Sequence, residues 1–447
     1  MLRQVAISCL LAALALPAAA RTRPHYGGTL RVEIEGDPWQ RTGGLARRMV
    51  LDGLTTIGPD GTVLPALAVR WTSENNDHRW QFWLRSGVHF QNDTALSSAA
   101  VEASLTASCG ASCPWSAMRA AGSSVVLTAD SPMPNLPALL AGDKYLIGFD
   151  ADPHVGIVGT GPFAATGELN NPGVTRLVAN ETCWQGRPFL DSVEISSRKS
   201  IHDQWLDLSV GRADLVEVPA EQMRQAHDQR LAVVASPLVS LLALTVSDSG
   251  ALSSPSLRAA IALAVDRGAL SNVIFQKQGE IAASLLPAEL TGYAFLFSTQ
   301  RDLNKAHELR GGVAPPALTL AAEGGAAMQL AAQRIALNLR DAGFSVQVVS
   351  AGAPQHIDLT LRRLTLESSQ PQCALESILR AASLPVPVTE QTPAGLYKVE
   401  RAIVDTHLLI PLLYLPRAYA VGGRVRDLRL GPDGAPQLAG VALEDAP

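Results

Sequence analysis

The stretch Trp80–Phe90, which reads WQFWLRSGVHF, decides the fold of this chain. Its first half alternates, so that Trp80, Phe82 and Leu84 fall on one face of an extended strand and the residues between them fall on the other. This alternation predicts a strand with one buried aromatic face. We expect the nearby Trp71 to pack in the same small sheet.

Strand and helix patterns alternate along the rest of the chain. The predicted strands lie at 29–34, 241–246 and 345–349, and the predicted helices, which are amphipathic, lie at 256–265 and 326–342. The apolar run 408–415 is split by Pro411, which lacks a backbone donor and therefore predicts an edge or entry strand. The mixture favours α/β lobes over a helical bundle or a β-sandwich.

Composition limits the classes of protein to consider. The chain has 447 residues, of which 47% are apolar and 17% charged, and its net charge is −5. This length predicts two or three domains, and this composition excludes general disorder. No basic surplus is present to neutralise phosphates, so the charge argues against nucleic acid as a partner.

The first 20 residues have the pattern of a secretory signal. Arg3 is followed by the apolar run Val5–Leu16, then by Pro17 and the small residues Ala18–Ala20. The run is too short to cross a bilayer, and no later segment reaches 18 unbroken apolar residues. Cys9 lies too early for a lipoprotein anchor. We therefore expect a cleaved signal peptide at 1–20 and a soluble periplasmic protein.

Four cysteines remain beyond the predicted signal peptide: Cys109, Cys113, Cys183 and Cys373. An oxidising compartment permits disulfides, and Cys109 and Cys113 are close enough in sequence to close a small loop. The alternative, a metal site, needs further ligands nearby, and neither His nor another Cys is close. We predict a disulfide between Cys109 and Cys113 and leave the pairing of the other two open.

Catalytic and cofactor motifs are missing from the sequence. Residues 159–163, GTGPF, have the glycines of a phosphate loop, but they match neither G-x-G-x-x-G nor G-K-[ST], and Pro162 removes a donor. The nucleophile motif G-x-S-x-G and the zinc motif H-E-x-x-H are absent, and the nine histidines are scattered. The sequence thus predicts a protein that is not an enzyme, with no metal site and no cofactor.

Seven segments carry a further pattern when they are taken in order. They are YGGTLRV at 26–32, DGL at 52–54 with PDG at 59–61 and LPALA at 64–68, WQFWLRSGVHF at 80–90, GTGPF at 159–163, NETCWQGRPFLD at 180–191, LRAAIALAVDR at 257–267, and LIPLLY at 409–414. Together they resemble the motifs of the extracytoplasmic solute-binding proteins of family 5, the peptide, nickel and oligosaccharide class. The resemblance covers nearly all of the chain beyond the predicted signal.

The resemblance implies a two-lobed α/β fold like that of periplasmic binding proteins (type II, cluster C), with an extra small α/β domain on the first lobe. It implies a hinge that closes the lobes on a ligand, and the permease subunits of an ABC transporter in the inner membrane as partners of a monomeric binding protein. The expected segments are lobe I at 24–48, 159–243 and 404–447, the extra domain at 49–158, and lobe II at 244–403.

The chain departs from the family pattern in lobe II. It is short for the family, and the missing length falls between about 349 and 396. In peptide-binding members an acidic residue of this region pairs with the peptide's amino terminus, but here residues 361–367 read LRRLTLE, with no clear Asp match. Peptide specificity is therefore not implied. Arg362 and Arg363 allow an anionic ligand as an alternative, since Arg binds carboxylate and phosphate well.

Two functions follow as hypotheses. The first is capture of a small ligand, peptide-like or other, in an interlobe cleft and delivery to an ABC permease. The second is a ligand-sensing or interaction protein on the same fold that has lost transport, which the short lobe II motivates. The candidate ligand-binding residues are Trp39, Arg41, Trp115, Thr245, Arg362, Arg363 and Glu367.

Overall fold

The computed structural model describes residues 25–444, except 41–42, 59–60, 111–112, 151–155, 167–172, 294–297, 313–316, 351, 353–355 and 388–391. The predicted signal peptide and Arg41 lie outside the described residues. The strands are β1 (Thr29–Glu33), β2 (Thr55–Ile57), β3 (Val63–Pro65), β4 (Ala68–Glu74), β5 (Arg79–Leu84), β6 (Ala117–Ala121), β7 (Ser124–Thr128), β8 (Phe149–Asp150), β9 (Ile157–Val158), β10 (Phe163–Ala165), β11 (Val174–Ala179), β12 (Ser192–Ser196), β13 (Leu215–Val218), β14 (Ala232–Val246), β15 (Glu280–Ile281), β16 (Ala317–Ala322), β17 (Ser345–Ser350), β18 (Leu359–Thr365), β19 (Leu409–Val421), β20 (Val425–Arg426), β21 (Arg429–Leu430), β22 (Pro436–Gln437) and β23 (Ala442–Leu443).

Twelve α-helices accompany these strands in the described part of the chain. The α-helices are Leu45–Val50, Ser98–Cys109, Leu136–Leu139, Ile201–Ser209, Met223–Asp228, Pro255–Ala264, Arg267–Ala269, Ala288–Thr291, Leu303–Arg310, Ala326–Asp341, Pro371–Ala381 and Pro393–Asp405.

One mixed sheet runs through the whole molecule. Its strand order is β10-β11-β12-β1-β13-β19-β14-β18-β16-β17, with β15 added beside β19. β1 is parallel to β12 and β13, and β16 is parallel to β17 and β18. The long antiparallel strands β14 and β19 pair along most of their length and belong to both halves. We call the half around β1 and β10–β13 lobe I, and the half around β16–β18 lobe II.

The prediction for the strand that contains Pro411 holds at the start of that strand only. β19 enters the sheet at Leu409 with β14 as its paired neighbour, and it becomes central from Leu413 onward, where β15 and then β13 pair with its other side. Leu242 of β14 pairs with Leu413 and Ala243 with Pro411, so Leu412 is an extra residue on β19. A bulge beside Pro411 lets the strand tolerate the missing backbone donor.

The extra domain is built around β5, the strand that contains Trp80, Phe82 and Leu84. β5 lies inside a four-stranded antiparallel sheet of order β4-β5-β7-β6. Phe82 is fully buried and Trp80 nearly so, while Trp83 on the opposite face is stacked under the Arg70 guanidinium at 3.6 Å. The predicted alternation is therefore confirmed, and full burial of a Phe side chain contributes about 1.5–3 kcal/mol.

The helix Ser98–Cys109 covers the buried face of this sheet. Ser97 caps its start, since the Ser97 hydroxyl oxygen accepts a hydrogen bond from the Ala100 N–H at 3.1 Å. Beyond its end, a disulfide joins Cys109 to Cys113, whose Cα atoms are 4.9 Å apart. Cys183 and Cys373 are buried free thiols.

Lobe II packs helices against both faces of its half of the sheet. The two helices predicted from amphipathic runs are present as Pro255–Ala264 and Ala326–Asp341. Their buried faces, with residues such as Ile261 and Ile335, share one core with strands β16 and β18. A second core on the other face is formed with the helices Pro371–Ala381 and Pro393–Asp405. Within the described residues, no helix is long and apolar enough to cross a membrane.

Candidate functional site

A large cavity lies where the extra domain, lobe I and the segment after β19 meet. Its volume is about 760 Å³, within the range of small-molecule sites. Lobe II contributes one described residue to its lining, Glu367. The charged residues of the lining are five acids and two arginines: Asp52, Asp143, Glu367, Asp427, Asp433, Arg48 and Arg429. The cavity therefore has an acidic surplus.

The GTGPF segment forms one side of this region by packing on the end of the helix Leu45–Val50. A Cβ atom on Gly161 would lie 2.5 Å from the carbonyl oxygen of Met49, so only glycine permits this approach. The close packing places the Thr160 hydroxyl where it donates to Asp52 at 2.8 Å. The GTGPF segment thus passes across the end of this helix with its backbone in close contact.

Asp52 is held in place from two sides. Its Oδ2 atom accepts hydrogen bonds from the Thr160 hydroxyl and from the indole N–H of Trp184, each at 2.8 Å. Burial nevertheless raises the pKa of Asp52, because removal from water disfavours the charged form more than these two donors favour it. Asp52 and Trp184 belong to two of the segments that carried the family resemblance.

Arg48 joins three segments of the chain at the cavity wall. Its guanidinium forms ion pairs with Asp143, at 2.7 Å, and with Asp433. Burial by itself raises the pKa of Asp433, but the neighbouring Arg48 outweighs burial and holds that pKa below its ordinary value. The Gly43 N–H also donates to Asp143 at 2.6 Å. The charges of Arg48, Asp143 and Asp433 are therefore paired with one another, while the Arg48 Nε–H has no hydrogen-bond partner among the described residues.

Glu367 differs from these acids. It follows β18, it is half-buried, and its backbone N–H donates to the Ser377 hydroxyl at 3.4 Å. Its carboxylate makes no hydrogen bond or ion pair with any residue that the structure describes. Burial raises the pKa of Glu367, and the nearby charge of Asp143 adds to the effect. The cavity therefore contains a carboxylate that is available to a ligand.

Two residues of lobe II make contacts outside their own lobe core, close to this cavity. The Gln370 side-chain amide donates to the Gly61 carbonyl in the β2–β3 turn of the extra domain. Arg363 of β18 lies 3.5 Å from Glu221, in the segment that joins β13 to β14. These two contacts join β18 and the segment after it to the extra domain and to the segment between β13 and β14.

The other candidate residues from the sequence lie elsewhere. Trp39 packs on the lobe I core, and its indole N–H donates to Thr175 at 3.2 Å. Trp115 is buried in the extra domain against Tyr145. Thr245 donates to the Thr360 carbonyl at 3.2 Å within the sheet.

Neither of the two predicted arginines lines the cavity. Arg362 forms an ion pair with Glu323 within lobe II, and Arg363 forms the bridge to Glu221 described above. Among the candidates that the structure describes, Glu367 is the one that lines the cavity.

Sequence reasoning missed most of the charged wall. Arg48, Asp143 and Asp433 come from distant segments, and no spacing in the sequence links them. Asp52 had a signal, since it lies in the DGL segment, but that segment indicated family and not a site. In the part of the chain that the structure describes, no group of three or more His, Cys, Asp or Glu side chains is placed to hold a metal ion.

Comparisons with known proteins agree with this architecture. The family model described as bacterial extracellular solute-binding proteins, family 5 middle, matches residues 62–363. The peptide transport periplasmic protein SapA of Salmonella typhimurium is 28% identical over 139 residues, which are 30% of this chain and 25% of SapA. The nickel-binding protein NikA of Staphylococcus aureus is 24% identical over 245 residues, 52% of this chain and 49% of NikA. The matches thus span between a quarter and a half of these relatives.

A solved structure extends the similarity to nearly the whole chain. The dipeptide-binding protein of Pseudoalteromonas sp. SM9913, crystallised with Met-Leu, superimposes with a TM-score of 0.81 at 15% identity. The match covers 93% of this chain and 100% of the other. At this identity the comparison shows the shared two-lobed fold.

Proposed function

Since the chain belongs to the bacterial extracellular solute-binding proteins of family 5, we propose that it captures a small solute carrying an ammonium group and delivers it to the permease of an ABC importer. Capture takes place in the 760 Å³ cavity. The protein acts as a soluble monomer in the periplasm, after removal of residues 1–20. It binds reversibly and does no chemistry on its ligand.

One observation carries the choice of ligand charge. The Glu367 carboxylate lines the cavity without a partner among the described residues, and the lining as a whole has more acids than arginines. A cationic group placed there gains an ion pair with Glu367 and is favoured by the remaining carboxylates. An anionic ligand, the alternative raised by Arg362 and Arg363, meets this acidic wall instead, and both arginines are engaged with Glu323 and Glu221.

The relatives support a peptide-like ligand. SapA is named a peptide transport protein, and the Pseudoalteromonas protein was crystallised with a dipeptide. The amino terminus of a peptide supplies the ammonium group that Glu367 requires. In peptide-binding members an acidic residue of this region makes that pairing; residues 361–367 have no clear Asp match to it, and we propose that Glu367 takes its part here. We therefore propose short peptides, or amino compounds of similar size, as the substrate class.

Closure of the lobes explains how binding is signalled. The strands β14 and β19 connect the lobes, and the contacts of Gln370 with Gly61 and of Arg363 with Glu221 hold them together. A ligand that pairs with Glu367 of lobe II and contacts the opposite wall favours this closed state over an open one. We propose that the permease recognises the closed pair of lobes.

The test measures binding to the signal-free chain. Isothermal titration is carried out with short peptides, with the same peptides acetylated at the amino terminus, with Ni²⁺-histidine, and with dicarboxylates. We expect free peptides to bind and acetylation to abolish most of the affinity. The Glu367→Gln variant should bind the free peptide about 30-fold more weakly, since loss of one partner of a desolvated charge pair costs about 2 kcal/mol.

Glu323→Gln is the matched control, because Glu323 also lies in lobe II and pairs with an arginine but does not line the cavity. It should leave peptide affinity unchanged. Equal affinity for free and acetylated peptides, or equal effects of the two substitutions, would contradict the assignment of Glu367. Absence of binding by every ligand class would instead favour the sensing or interaction function.

A further inference from the structure

A second, smaller pocket lies in lobe II. Its volume is about 240 Å³, and it opens between the end of the helix Pro255–Ala264, the end of the helix Pro393–Asp405 and the start of β19. Among its lining residues are Arg267, His407, Ser298 and Thr299. None of these residues lines the large acidic cavity.

Arg267 is the unusual member of this pocket. Its side chain is almost fully buried, and it donates to two backbone carbonyls, those of Pro411 at 2.9 Å and Ala262 at 3.2 Å. A guanidinium has five N–H donors, so these two bonds leave three donors unused. No described carboxylate lies within ion-pair distance of Arg267, and all its contacts are accounted for by these two carbonyls.

Arg258, on the preceding helix, provides an internal comparison. It is buried to the same degree, but it forms an ion pair with Asp248 at 3.0 Å and donates to the carbonyls of Thr406, Leu252 and Ser253. Among the described residues, Arg258 therefore has both a carboxylate and three carbonyls as partners, whereas Arg267 has two carbonyls and no carboxylate. A buried charge without a partner is unfavourable, which is why buried charges are normally paired.

The surroundings of Arg267 are suited to a negative charge. Burial lowers the pKa of Arg267 to about 10, so the side chain remains a cation at neutral pH. Burial likewise lowers the pKa of His407; Asp405 opposes this effect, and the positive charges of Arg258 and Arg267 add to it. The one acid in the lining, Asp405, is paired with Arg401 at 3.0 Å.

We propose that this pocket binds a small oxyanion, with Arg267 as its cationic ligand. The volume accommodates a phosphate, a sulfate or a single carboxylate group, and the unused guanidinium donors match the oxygen atoms of each. The partly exposed hydroxyls of Ser298 and Thr299 at the pocket edge supply further donors. The proposal concerns a site in lobe II and is independent of the ligand of the large cavity.

The experiment compares anions at constant ionic strength. Thermal unfolding of the signal-free chain is followed with sodium phosphate, sodium sulfate, sodium acetate or sodium chloride, which serves as the reference. An oxyanion at ten times its dissociation constant should raise Tm by about 2 °C over chloride. Acetate distinguishes carboxylate ligands from tetrahedral oxyanions. A rise in Tm with acetate alone indicates a carboxylate ligand, and a rise with phosphate or sulfate indicates a tetrahedral one.

Variants locate the response. Arg267→Gln should remove the oxyanion effect, whereas Glu367→Gln, in the other cavity, should leave it intact. Arg267→Gln also removes the hydrogen bond to the Pro411 carbonyl, so Thr299→Val provides a second variant at the pocket edge, with an expected loss of affinity of about fivefold. No increment over chloride, or an increment that persists unchanged in Arg267→Gln and Thr299→Val, would overturn the proposal.

Discussion

The two cavities of this protein treat an arginine in opposite ways. In the large cavity Arg48 is paired with both Asp143 and Asp433, and the carboxylate of Glu367 has no partner among the described residues. In the lobe II pocket the described residues give Arg267 two backbone carbonyls as hydrogen-bond acceptors and no carboxylate. The large cavity therefore offers a carboxylate to a ligand, and the lobe II pocket offers a guanidinium.

This difference shows that net charge is a poor guide to what a site binds. The whole chain has a net charge of −5, which predicts nothing about either cavity. What matters is which charged groups are already satisfied by the fold, because a paired charge offers a ligand little and an unpaired one offers much. The same criterion that assigns an ammonium ligand to the large cavity assigns an oxyanion to the small pocket.

The largest expected effect comes from taking one counter-charge away from Arg48. Asp433→Ala leaves Asp143 as the remaining carboxylate partner, and we expect it to lower the free energy of unfolding by about 2 kcal/mol, because a partly buried cation loses one of its two partners. Asp341→Ala is the control, since Asp341 forms an exposed pair with Arg301 and should cost less than about 1 kcal/mol. Urea unfolding followed by tryptophan fluorescence measures both. Equal losses would mean that pairing does not distinguish the two cavities.

The second largest expected effect is a different pH dependence of ligand affinity at the two cavities. The pKa of Glu367 lies above its ordinary value of 4.5, because of burial and then of Asp143, so the carboxylate is protonated at a higher pH than in water. An ammonium ligand requires the ionised form, so its affinity should fall as the pH is lowered through that raised pKa. The loss should approach tenfold for each pH unit below it.

The same titration contains its own controls. Arg267, with a pKa of about 10, stays charged across the acidic range, so sulfate affinity at the lobe II pocket should not fall with the ammonium affinity. Glu367→Gln should remove most of the pH dependence of peptide binding between pH 4 and 8. Persistence of that dependence in the variant would assign it to another acid, and Asp52, whose pKa burial also raises, is then the group to examine.

The fold could be predicted from the sequence because its signals are local. The alternation in β5 and the amphipathic pattern of the helix Ala326–Asp341 are set by neighbouring residues and by burial of one face. The strand that contains Pro411 shows the opposite case. Whether a strand is central depends on its partners, and β13, β14 and β15, which flank β19, come from distant parts of the sequence.

The site was largely beyond prediction for the same reason. Glu367 was a candidate, since the family resemblance pointed to an acidic residue in its region. The wall that surrounds it brings together Arg48, Asp143 and Asp433, which are separated by up to 385 residues. Predicting whether Glu367 or Arg363 is free for a ligand requires knowing every partner of each, and Arg363 proved to be engaged with Glu221.

The smallest expected effect concerns the bridge between the lobes. Arg363→Gln removes the pair with Glu221, a partly exposed contact at 3.5 Å that is worth about 0.5 kcal/mol. On the proposed closure of the lobes, loss of this contact should lower peptide affinity about twofold through the population of the closed state. Oxyanion affinity should not change, since neither Arg363 nor Glu221 lines the lobe II pocket.

The neighbouring Arg362 offers a matched control for this last comparison. It pairs with Glu323 inside lobe II, so Arg362→Gln removes an arginine from the same strand without removing a bridge. Calorimetry on both variants, together with the radius of gyration of the unliganded proteins from small-angle scattering, measures the effect. A larger mean radius in Arg363→Gln alone is expected. The same twofold loss in both variants would attribute the effect to the positive charge of β18 and not to the contact with Glu221. The contact of Gln370 with Gly61 would then be the one that links ligand binding to lobe closure.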